Sequence, residues 1–441
     1  MKTLVALSTP PMNGAIHIVR LSGDDAFLII NKITSSKILR KGYQIQKTNI
    51  VDKKVVIDHV LINTFVKPKS FTGEDVVEIN CHGGIYLARK IIQLLISKGC
   101  IMAQPGEFLQ RAYMNNKLSI HEAEAINNLI NATNDNAIKL ANNGLNATTI
   151  KKLDIVREQL FKLIGQVEVN IDYPEFDDVP QITLKKFNQF IDDLIKTCTQ
   201  IINDSTQVIP LRDGVNVAII GKPNVGKSSL LNAFVKNERA IVSKTPGTTR
   251  DVISEKINLE GITINLLDTA GYRQTKHAIE KQGVNKTLEA ITHVDLILFV
   301  ADGSKPLTQE DKDILKLIQN KPHIVIINKS DLPYRANLSG VKVSAKESKI
   351  NNLIKQIKQR FQKSTLNINQ SVILQSNRSI GLMQNVVEEL QIVKSLLKDK
   401  QPIDLSMEHL HGALDSIHRI TGHSKEYNFI DELFRKFCVG K

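Results

Sequence analysis

The stretch VNVAIIGKPNVGKSSLLNAF, from Val215 to Phe234, decides the fold of the middle of this chain. It begins with an apolar run rich in Val and Ile, which is typical of a buried strand, and it ends in a helical pattern. Between them stands Gly221-x-x-x-x-Gly226-Lys227-Ser228, the spacing of a phosphate-binding P-loop. The glycines let backbone N–H groups approach phosphates, and the helix N-terminus adds free donors. We expect Lys227 to reach the β- and γ-phosphates and Ser228 to ligate Mg²⁺, whereas the alternative is a plain glycine turn.

Two later stretches indicate which base the site would accept. HIVIINKSD is a strand that leads into Asn328-Lys329-x-Asp331, where a carboxylate can accept hydrogen bonds from guanine N1–H and from the exocyclic amine. Adenine offers no such arrangement, so the motif favours GTP over ATP. VKVSAK supplies Ser344-Ala345-Lys346, whose backbone can contact guanine O6. Together with the P-loop, these strands predict a Ras-like α/β domain with a mostly parallel sheet.

The residues expected near the γ-phosphate lie in two loops. INLLDTAG ends a strand at Asp268, which is placed to hold Mg²⁺ through water, and Gly271 can turn its N–H toward the γ-phosphate. Ras-like proteins orient the attacking water with a glutamine after this motif, but Tyr272 occupies that position here. SKTPGTTRD offers Thr249 as a second Mg²⁺ ligand. Four residues carry neutral side-chain oxygens: Asn224, Ser243, Thr245 and Thr248. These oxygens suit a monovalent cation that replaces an arginine finger. The alternative is that these residues serve only in turns and caps.

Composition and charge bound the class of protein. The chain has 441 residues, 42% of them hydrophobic, and a net charge of +13. A basic surplus favours a polyanionic partner such as RNA, although a generally lysine-rich surface is the alternative. No apolar run approaches the ~20 residues that span a bilayer, and the first apolar run is too short for a signal peptide. We therefore expect no association with membranes. Because the four cysteines lie far apart and form no evident disulfide framework, we expect a reducing, cytoplasmic compartment.

The flanking regions predict two further domains. Residues 1–118 contain two strand-like stretches bounded by glycine, IHIVRLSG and DVVEINCHGG. With one or two helices, among them the amphipathic stretch GGIYLARKIIQLLISKG, they predict an α+β domain. A capping-box pattern at Ser119 and Glu122 opens helices that reach about residue 170, and a second helix is predicted from 182 to 206, ending before Pro210. Residues 376–437 are again helical in pattern. The predicted domains are therefore 1–118, a helical domain in two parts (119–212 and 371–441), and an inserted P-loop domain, 213–370.

The sequence FCVGK, Phe437 to Lys441, has three interpretations. It nearly fits a prenylation box, with Cys438 fourth from the end, but Gly440 is not aliphatic. It is otherwise a frayed tail, or a segment that finishes inside an active site.

These motifs together resemble one family, the tRNA modification GTPases MnmE, also called TrmE. The resemblance extends over essentially the whole chain and is most specific outside the P-loop domain. It rests on STPPMNGAIHIVRLSG, SFTGEDVVEINCHGG, QPGEFLQRAYMNNKLSIHEAEAINNLI, IDYPEFDD, GKPNVGKSSLLNAF, PGTTRDV, LLDTAGYRQT, IEKQGV and FCVGK, in the family's order.

The resemblance implies a function. Members modify carbon 5 of the wobble uridine of certain tRNAs by adding an aminomethyl or carboxymethylaminomethyl group. They act as homodimers in a heterotetramer with the flavoprotein MnmG (GidA). Their N-terminal domain dimerises and binds a reduced folate of the 5-formyl- or methylene-tetrahydrofolate type. Their GTPase uses K⁺, and Ser243 stands where the family usually has threonine.

The resemblance also implies site residues. Folate contacts match Arg20, Glu78, Lys117 and Lys441. A glutamate that helps to position water matches Glu280, and Cys438 matches a cysteine considered for the modification chemistry, its alternative being a small apolar packing residue. With the motifs above, the predicted GTP site consists of Asn224, Val225, Gly226, Lys227, Ser228, Ser229, Ser243, Lys244, Thr245, Pro246, Gly247, Thr248, Thr249, Asp268, Thr269, Ala270, Gly271, Asn328, Lys329, Asp331, Ser344, Ala345 and Lys346.

Two other functional classes compete with this prediction. One is a regulatory or assembly GTPase that binds ribosomal RNA without modifying it, which the P-loop region alone does not exclude. The other is an RNA-binding scaffold independent of nucleotide, which the intact Lys227, Asp268 and Asp331 disfavour. The N-terminal block and FCVGK favour the tRNA-modifying class, since an assembly factor needs no folate domain.

Overall fold

A computed structural model describes residues 2–172, 184–237, 253–259, 261–267, 294–361 and 371–422. The chain divides into two compact units. One comprises Met1–Asn127, Leu153–Ile191 and Gly381–Lys441, and the other comprises Asn128–Lys152 and Asp192–Ile380. The domain boundaries expected at 118, 212 and 370 stay predictions.

The first unit contains a six-stranded sheet. Its strand order is β3-β4-β5-β2-β1-β6, and every neighbouring pair is antiparallel except the parallel pair β1–β6. The strands are β1 (Leu4–Leu7), β2 (Ile16–Ser22), β3 (Gln44–Asp52), β4 (Val55–Phe65), β5 (Val76–His82) and β6 (Ile101–Met102). The two strand-like stretches recognised in the sequence are therefore confirmed as β2 and β5.

Three helices accompany this sheet, where the sequence predicted one or two: α1 (Ala26–Ile30), α2 (Ile85–Ser97) and α3 (Glu107–Met114). Helix α2 follows the predicted amphipathic stretch. Its apolar stripe, including Ala88, Ile91 and Leu95, packs into one buried core with Val19 and Ile79 of the sheet. Because strand side chains alternate between faces, this core covers one face of the sheet only.

The next helices begin at the predicted capping box. They are α4 (Ile120–Ile130), α5 (Asp135–Gly144), α6 (Ala147–Asp172) and α7 (Leu184–Arg212). The Ser119 backbone N–H donates to Glu122 Oε2 (2.7 Å), and the Glu122 N–H donates to Ser119 Oγ (3.2 Å), which confirms the reciprocal cap. The acidic, proline-containing segment after Asp172 lies outside the described residues.

The expected end of α7 before Pro210 is wrong, because the helix continues through Pro210 to Arg212. Proline removes one helical hydrogen bond and crowds the preceding turn. Val208 and Leu211, however, are buried in the core of the second unit. Packing of this last turn overrides the local preference of the sequence.

The second unit contains the predicted α/β sheet. Its strand order is β12-β11-β10-β7-β9-β8, parallel throughout except for the antiparallel pair β8–β9. The strands are β7 (Val215–Ile220), β8 (Ile253–Leu259), β9 (Ile262–Leu267), β10 (Leu296–Asp302), β11 (His323–Asn328) and β12 (Val341–Lys342). The described helices are α8 (Lys227–Asn237), α9 (Gln309–Ile318) and α10 (Asn351–Phe361).

The helical pattern after residue 376 forms two helices, α11 (Asn377–Lys398) and α12 (Ser406–Thr421). They are separated by a turn that contains Pro402 and a short 3-10 segment, Ile403–Leu405. Proline favours an extended conformation in the residue before it, which explains why the pattern is broken here. No helix among the described segments is both long enough and apolar enough to cross a membrane.

Candidate functional site

The P-loop has the predicted context of strand, loop and helix. Strand β7 ends at Ile220, and α8 begins at Lys227. Gly226 has φ 100°, and a Cβ at this position would lie 2.2 Å from Asn328 Nδ2. Only glycine therefore permits this loop to approach β11 so closely.

Lys227 and Ser228 occupy the first turn of α8. The Lys227 ammonium donates hydrogen bonds to the carbonyl oxygens of Gly221 (2.5 Å) and Lys222 (2.6 Å). Ser228 and Ser229 are exposed, and Asn224 has φ 62°, in the left-handed region. The loop thus presents a cation, hydroxyl groups and a helix N-terminus at one place, the combination that favours a bound phosphate.

Asn328 joins the P-loop to the other predicted nucleotide loops. Its amide nitrogen donates to the carbonyl of Val225 (2.8 Å), and its Oδ1 accepts from the backbone N–H of Ala345 (3.0 Å). Asn328, Val225 and Ala345 are all buried. Three segments far apart in sequence are therefore fixed to one another at the carboxyl ends of the parallel strands, where ligands of such sheets bind.

The expected base-recognition residues lie beside this junction. Ser344 Oγ donates to Asp331 Oδ1 (2.7 Å), and this hydrogen bond holds the pKa of Asp331 below its usual value. The carboxylate is therefore ionised at neutral pH and can accept hydrogen bonds from a base. The positive charge of the exposed Lys346 lowers the pKa of Asp331 further.

A residue that sequence analysis missed, Asp302, lies at the end of β10. It accepts a hydrogen bond from the Lys329 ammonium (2.6 Å), and Ser304 donates to it through its hydroxyl (2.6 Å). Burial alone would raise the pKa of Asp302, but the hydrogen bonds from Lys329 and Ser304 have the larger combined effect and lower the pKa. The signal in the sequence was an aspartate directly after an apolar strand, as in the motifs that were recognised.

Several predicted site residues lie outside the described residues. They are Ser243, Lys244, Thr245, Pro246, Gly247, Thr248, Thr249, Asp268, Thr269, Ala270, Gly271, Glu280, Cys438 and Lys441. The strand expected before Asp268 is nevertheless confirmed, because β9 runs to Leu267.

The N-terminal sheet brings together two of the other predicted residues. Arg20 on β2 lies directly opposite Glu78 on β5, and its Nε donates to Glu78 Oε1 (2.9 Å). The guanidinium carbon lies 5.8 Å from the ring centres of both Phe71 and Phe108. Lys117 Nζ donates to the carbonyl of Pro68 (3.1 Å). The arrangement combines an anion, a cation and aromatic faces.

The second unit, with its P-loop, its largely parallel sheet and the Asn328 junction, defines a P-loop GTPase. The sequence models of two domains match this chain: "GTP-binding protein TrmE N-terminus" over residues 3–117 and "MnmE helical domain" over residues 120–438.

Relatives match along the whole chain. The protein named tRNA modification GTPase MnmE from Malacoplasma penetrans is 44% identical over 100% of this chain and 99% of its own length. The protein of the same name from Ureaplasma parvum serovar 3 is 44% identical over 100% of both chains. The one from Mycoplasmoides gallisepticum is 39% identical over 100% of this chain and 98% of its own. The chain belongs to the MnmE (TrmE) family of tRNA modification GTPases.

Proposed function

We propose that this protein hydrolyses GTP and, with a flavoprotein partner, modifies carbon 5 of the wobble uridine of certain tRNAs. The added group would be of the aminomethyl or carboxymethylaminomethyl type. The proposal is carried by the buried Asn328 amide, which ties the phosphate loop to the predicted guanine loop in a chain of this family. The rival assembly GTPase would share this junction, and full-length similarity to tRNA-modifying relatives favours the modifying class.

In this proposal, different residues of the chain bind the phosphates, the Mg²⁺ ion and the base of GTP. Lys227 neutralises the β- and γ-phosphates, and the backbone N–H groups of the loop donate hydrogen bonds to the phosphate oxygens. The Ser228 hydroxyl, exposed in the first turn of α8, is a hard oxygen donor that suits Mg²⁺, with Thr249 as the second ligand. Bound Mg²⁺ would neutralise charge that develops on the phosphates. Asp331 accepts hydrogen bonds from guanine.

The base-recognition assignment is tested with Asp331→Asn. An amide in place of the carboxylate presents a donor to guanine N1–H, which is itself a donor, so we expect GTP preference to weaken. A competition titration of GTP against XTP measures it, because xanthine carries a carbonyl where guanine has its amine. Unchanged guanine selectivity would contradict the role of Asp331.

We further propose that K⁺ supports hydrolysis, held by Asn224, Ser243, Thr245 and Thr248. Asn224 is exposed on the phosphate loop, and its neutral amide oxygen is the kind of donor that suits such a cation. Bound K⁺ would supply the positive charge that an arginine finger gives elsewhere. Steady-state GTP hydrolysis in K⁺ and in Na⁺, at matched ionic strength, is the test. Equal rates in both salts would leave the GTPase but remove this cation.

Glu280 is proposed to position the attacking water through a second water. Glu280→Ala should therefore leave GTP binding near normal and slow hydrolysis. Loss of binding instead would make the residue structural.

A reduced folate is the proposed one-carbon donor, bound by Arg20, Glu78, Lys117 and Lys441. The residues that the structure describes fit it: a carboxylate and a guanidinium lie side by side, and half-exposed Phe71 offers a face for a flat heterocycle. Glu78 would accept hydrogen bonds from ring N–H groups, and the basic side chains would meet a carboxylate tail.

The proposed assembly is a cytoplasmic homodimer that forms a heterotetramer with MnmG and binds tRNA. Cys438 is proposed to take part in the modification chemistry. Cys438→Ser should then abolish modification of tRNA but preserve GTP hydrolysis, whereas full modifying activity would assign the cysteine to packing.

A further inference from the structure

The side chain of Lys222, the second residue of the P-loop, leaves the loop and reaches the start of α9. Its Nζ lies 2.7 Å from Asp311 Oδ2 and 2.7 Å from Thr308 Oγ1. The side chains of Lys222 and Asp311 are 19% and 4% exposed, so the contact is largely shielded from solvent. None of the nucleotide motifs in the sequence assigns a role to the side chain of Lys222 or of Asp311.

The accepting end of this contact is held rigidly. Asp311 Oδ2 also accepts from the Thr308 backbone N–H (3.0 Å) and from Thr308 Oγ1 (2.9 Å). The first of these bonds, together with the Asp311 backbone N–H that donates to the Thr308 side chain, forms a capping box at the start of α9. Ile318 of the same helix is buried in a cluster with Phe299 of β10. The carboxylate is therefore fixed by its helix and, through packing, by the sheet.

The donor of this contact, Lys222, belongs to the phosphate loop itself. The carbonyl groups of Lys222 and of Gly221 both accept hydrogen bonds from the Lys227 ammonium. A Cβ at Gly221 would lie 2.3 Å from the carbonyl oxygen of Val300, so this end of the loop already lies against β10. Fixing the Lys222 side chain thus restricts the peptide whose carbonyl groups orient Lys227.

Charge supports the same arrangement. Burial alone would penalise the ionised form of Asp311, yet the hydrogen bonds from Lys222 and Thr308 and the charge of the ammonium together lower the pKa of Asp311. A buried carboxylate that loses its cation is left with an unpaired charge, which is strongly unfavourable. The pair is consequently expected to be maintained throughout the neutral pH range.

We propose that Lys222 and Asp311 are positioning residues: their ion pair braces the phosphate loop so that Lys227 is aimed for the phosphates of a nucleotide. The inference rests on the proposed GTP binding and deepens it. The brace acts on the phosphate half of the site, so it sets the affinity for GDP and GTP alike. It does not set the preference for guanine, which belongs to Asp331.

The test compares Lys222→Met, Asp311→Asn, the double variant and Lys222→Arg in the full-length protein. Methionine keeps the length of the side chain, and asparagine keeps an oxygen for the helix cap. Asp313→Asn is the matched control, because Asp313 is an exposed acid on the same helix. Fluorescent GDP gives Kd and dissociation rate, competition by IDP gives base preference, and thermal unfolding without nucleotide reports stability.

We expect each of Lys222→Met and Asp311→Asn to weaken GDP binding roughly tenfold, the size of a lost charge-assisted hydrogen bond, mainly through faster dissociation. The double variant should be no weaker than either single one, because both remove the same interaction. Lys222→Arg should recover most of the affinity. The ratio of GDP to IDP affinity and the behaviour of Asp313→Asn should match the wild type.

Three outcomes would overturn the inference. GDP affinity within twofold of wild type in Lys222→Met, with lowered unfolding temperature, would make the pair merely structural. Additive losses in the double variant would show that the two residues act independently. A changed GDP to IDP ratio would place the effect at the base. A wild-type protein that binds no guanine nucleotide would instead overturn the proposed function itself, and this inference with it.

Discussion

The two six-stranded sheets place their polar residues differently. In the largely parallel sheet, Asn328, Asp302 and the P-loop all lie at the carboxyl ends of strands, and their side chains link one loop to the next. In the mixed sheet, Arg20 and Glu78 face each other within β2 and β5. A site at strand ends depends on hydrogen bonds that link one loop to another. A site within strands depends instead on the pairing register of neighbouring strands. The first arrangement should therefore fail through loss of ligand binding, and the second through loss of sheet stability.

The largest expected effect is that of Asn328→Ala. The substitution removes both hydrogen bonds of the buried amide and leaves the carbonyl of Val225 and the N–H of Ala345 without that partner. Two such losses are worth about 3 kcal/mol, so nucleotide affinity should fall roughly 100-fold. Titration with fluorescent GDP measures the change.

Asn320→Ala is the control, because Asn320 is exposed after α9. Its affinity for GDP should equal that of the wild type. If Asn328→Ala bound GDP normally while remaining folded, the nucleotide loops would not depend on this junction, and the contrast between the two sheets would fail.

A smaller effect is expected from Arg20→Met in the mixed sheet. It leaves Glu78, whose side chain is 15% exposed, without its cation, and the free energy of unfolding should fall by about 2 kcal/mol. Hydrogen exchange at the amides of β2 and β5 measures this locally. The double variant Arg20→Met/Glu78→Gln should regain most of the loss, because no charge is then left unpaired.

The pair Lys67 and Asp24 provides the control, since these side chains are 51% and 59% exposed. Exposed pairs contribute little, so Lys67→Met should leave the free energy of unfolding close to that of the wild type. Equal effects of Arg20→Met and Lys67→Met would mean that the partly buried pair is weak, and that a ligand could separate Arg20 from Glu78 easily.

The same contrast explains what the sequence could predict. The P-loop and the base-recognition motif are short, continuous segments after apolar strands, so their structure and chemistry could both be inferred locally. The contact of Arg20 with Glu78 joins residues 58 positions apart and depends on strand register, which no spacing reveals. The resemblance to a family, rather than the residues' own pattern, singled out this pair. Pro210 misled the prediction of α7 because buried neighbours outweighed its local preference.

The smallest effect concerns acid sensitivity at the strand ends. The pKa of Asp302 is lowered in the folded protein, because hydrogen bonds from Lys329 and Ser304 outweigh the effect of burial. A group whose pKa is lower when folded contributes stability above its unfolded value, 3.8, and this stability is lost as the pH falls through the folded value. The stability difference between wild type and Asp302→Asn should therefore stay constant from neutral pH to about pH 5 and shrink below about pH 4.

Urea unfolding of both proteins across this pH range tests the expectation, with Asp313→Asn as the exposed carboxylate for comparison. Surface substitutions of this kind change stability by about 0.5 kcal/mol or less. The decisive observation is how the stability difference changes with pH, not how large it is at neutral pH. A difference that persisted undiminished in acid would mean that Lys329 is held by something other than the charge of Asp302. In that case the polar side chains at the end of β10 would not depend on an ionic link between loops. They would be fixed by the backbone, as strand register fixes Arg20 and Glu78 in the mixed sheet.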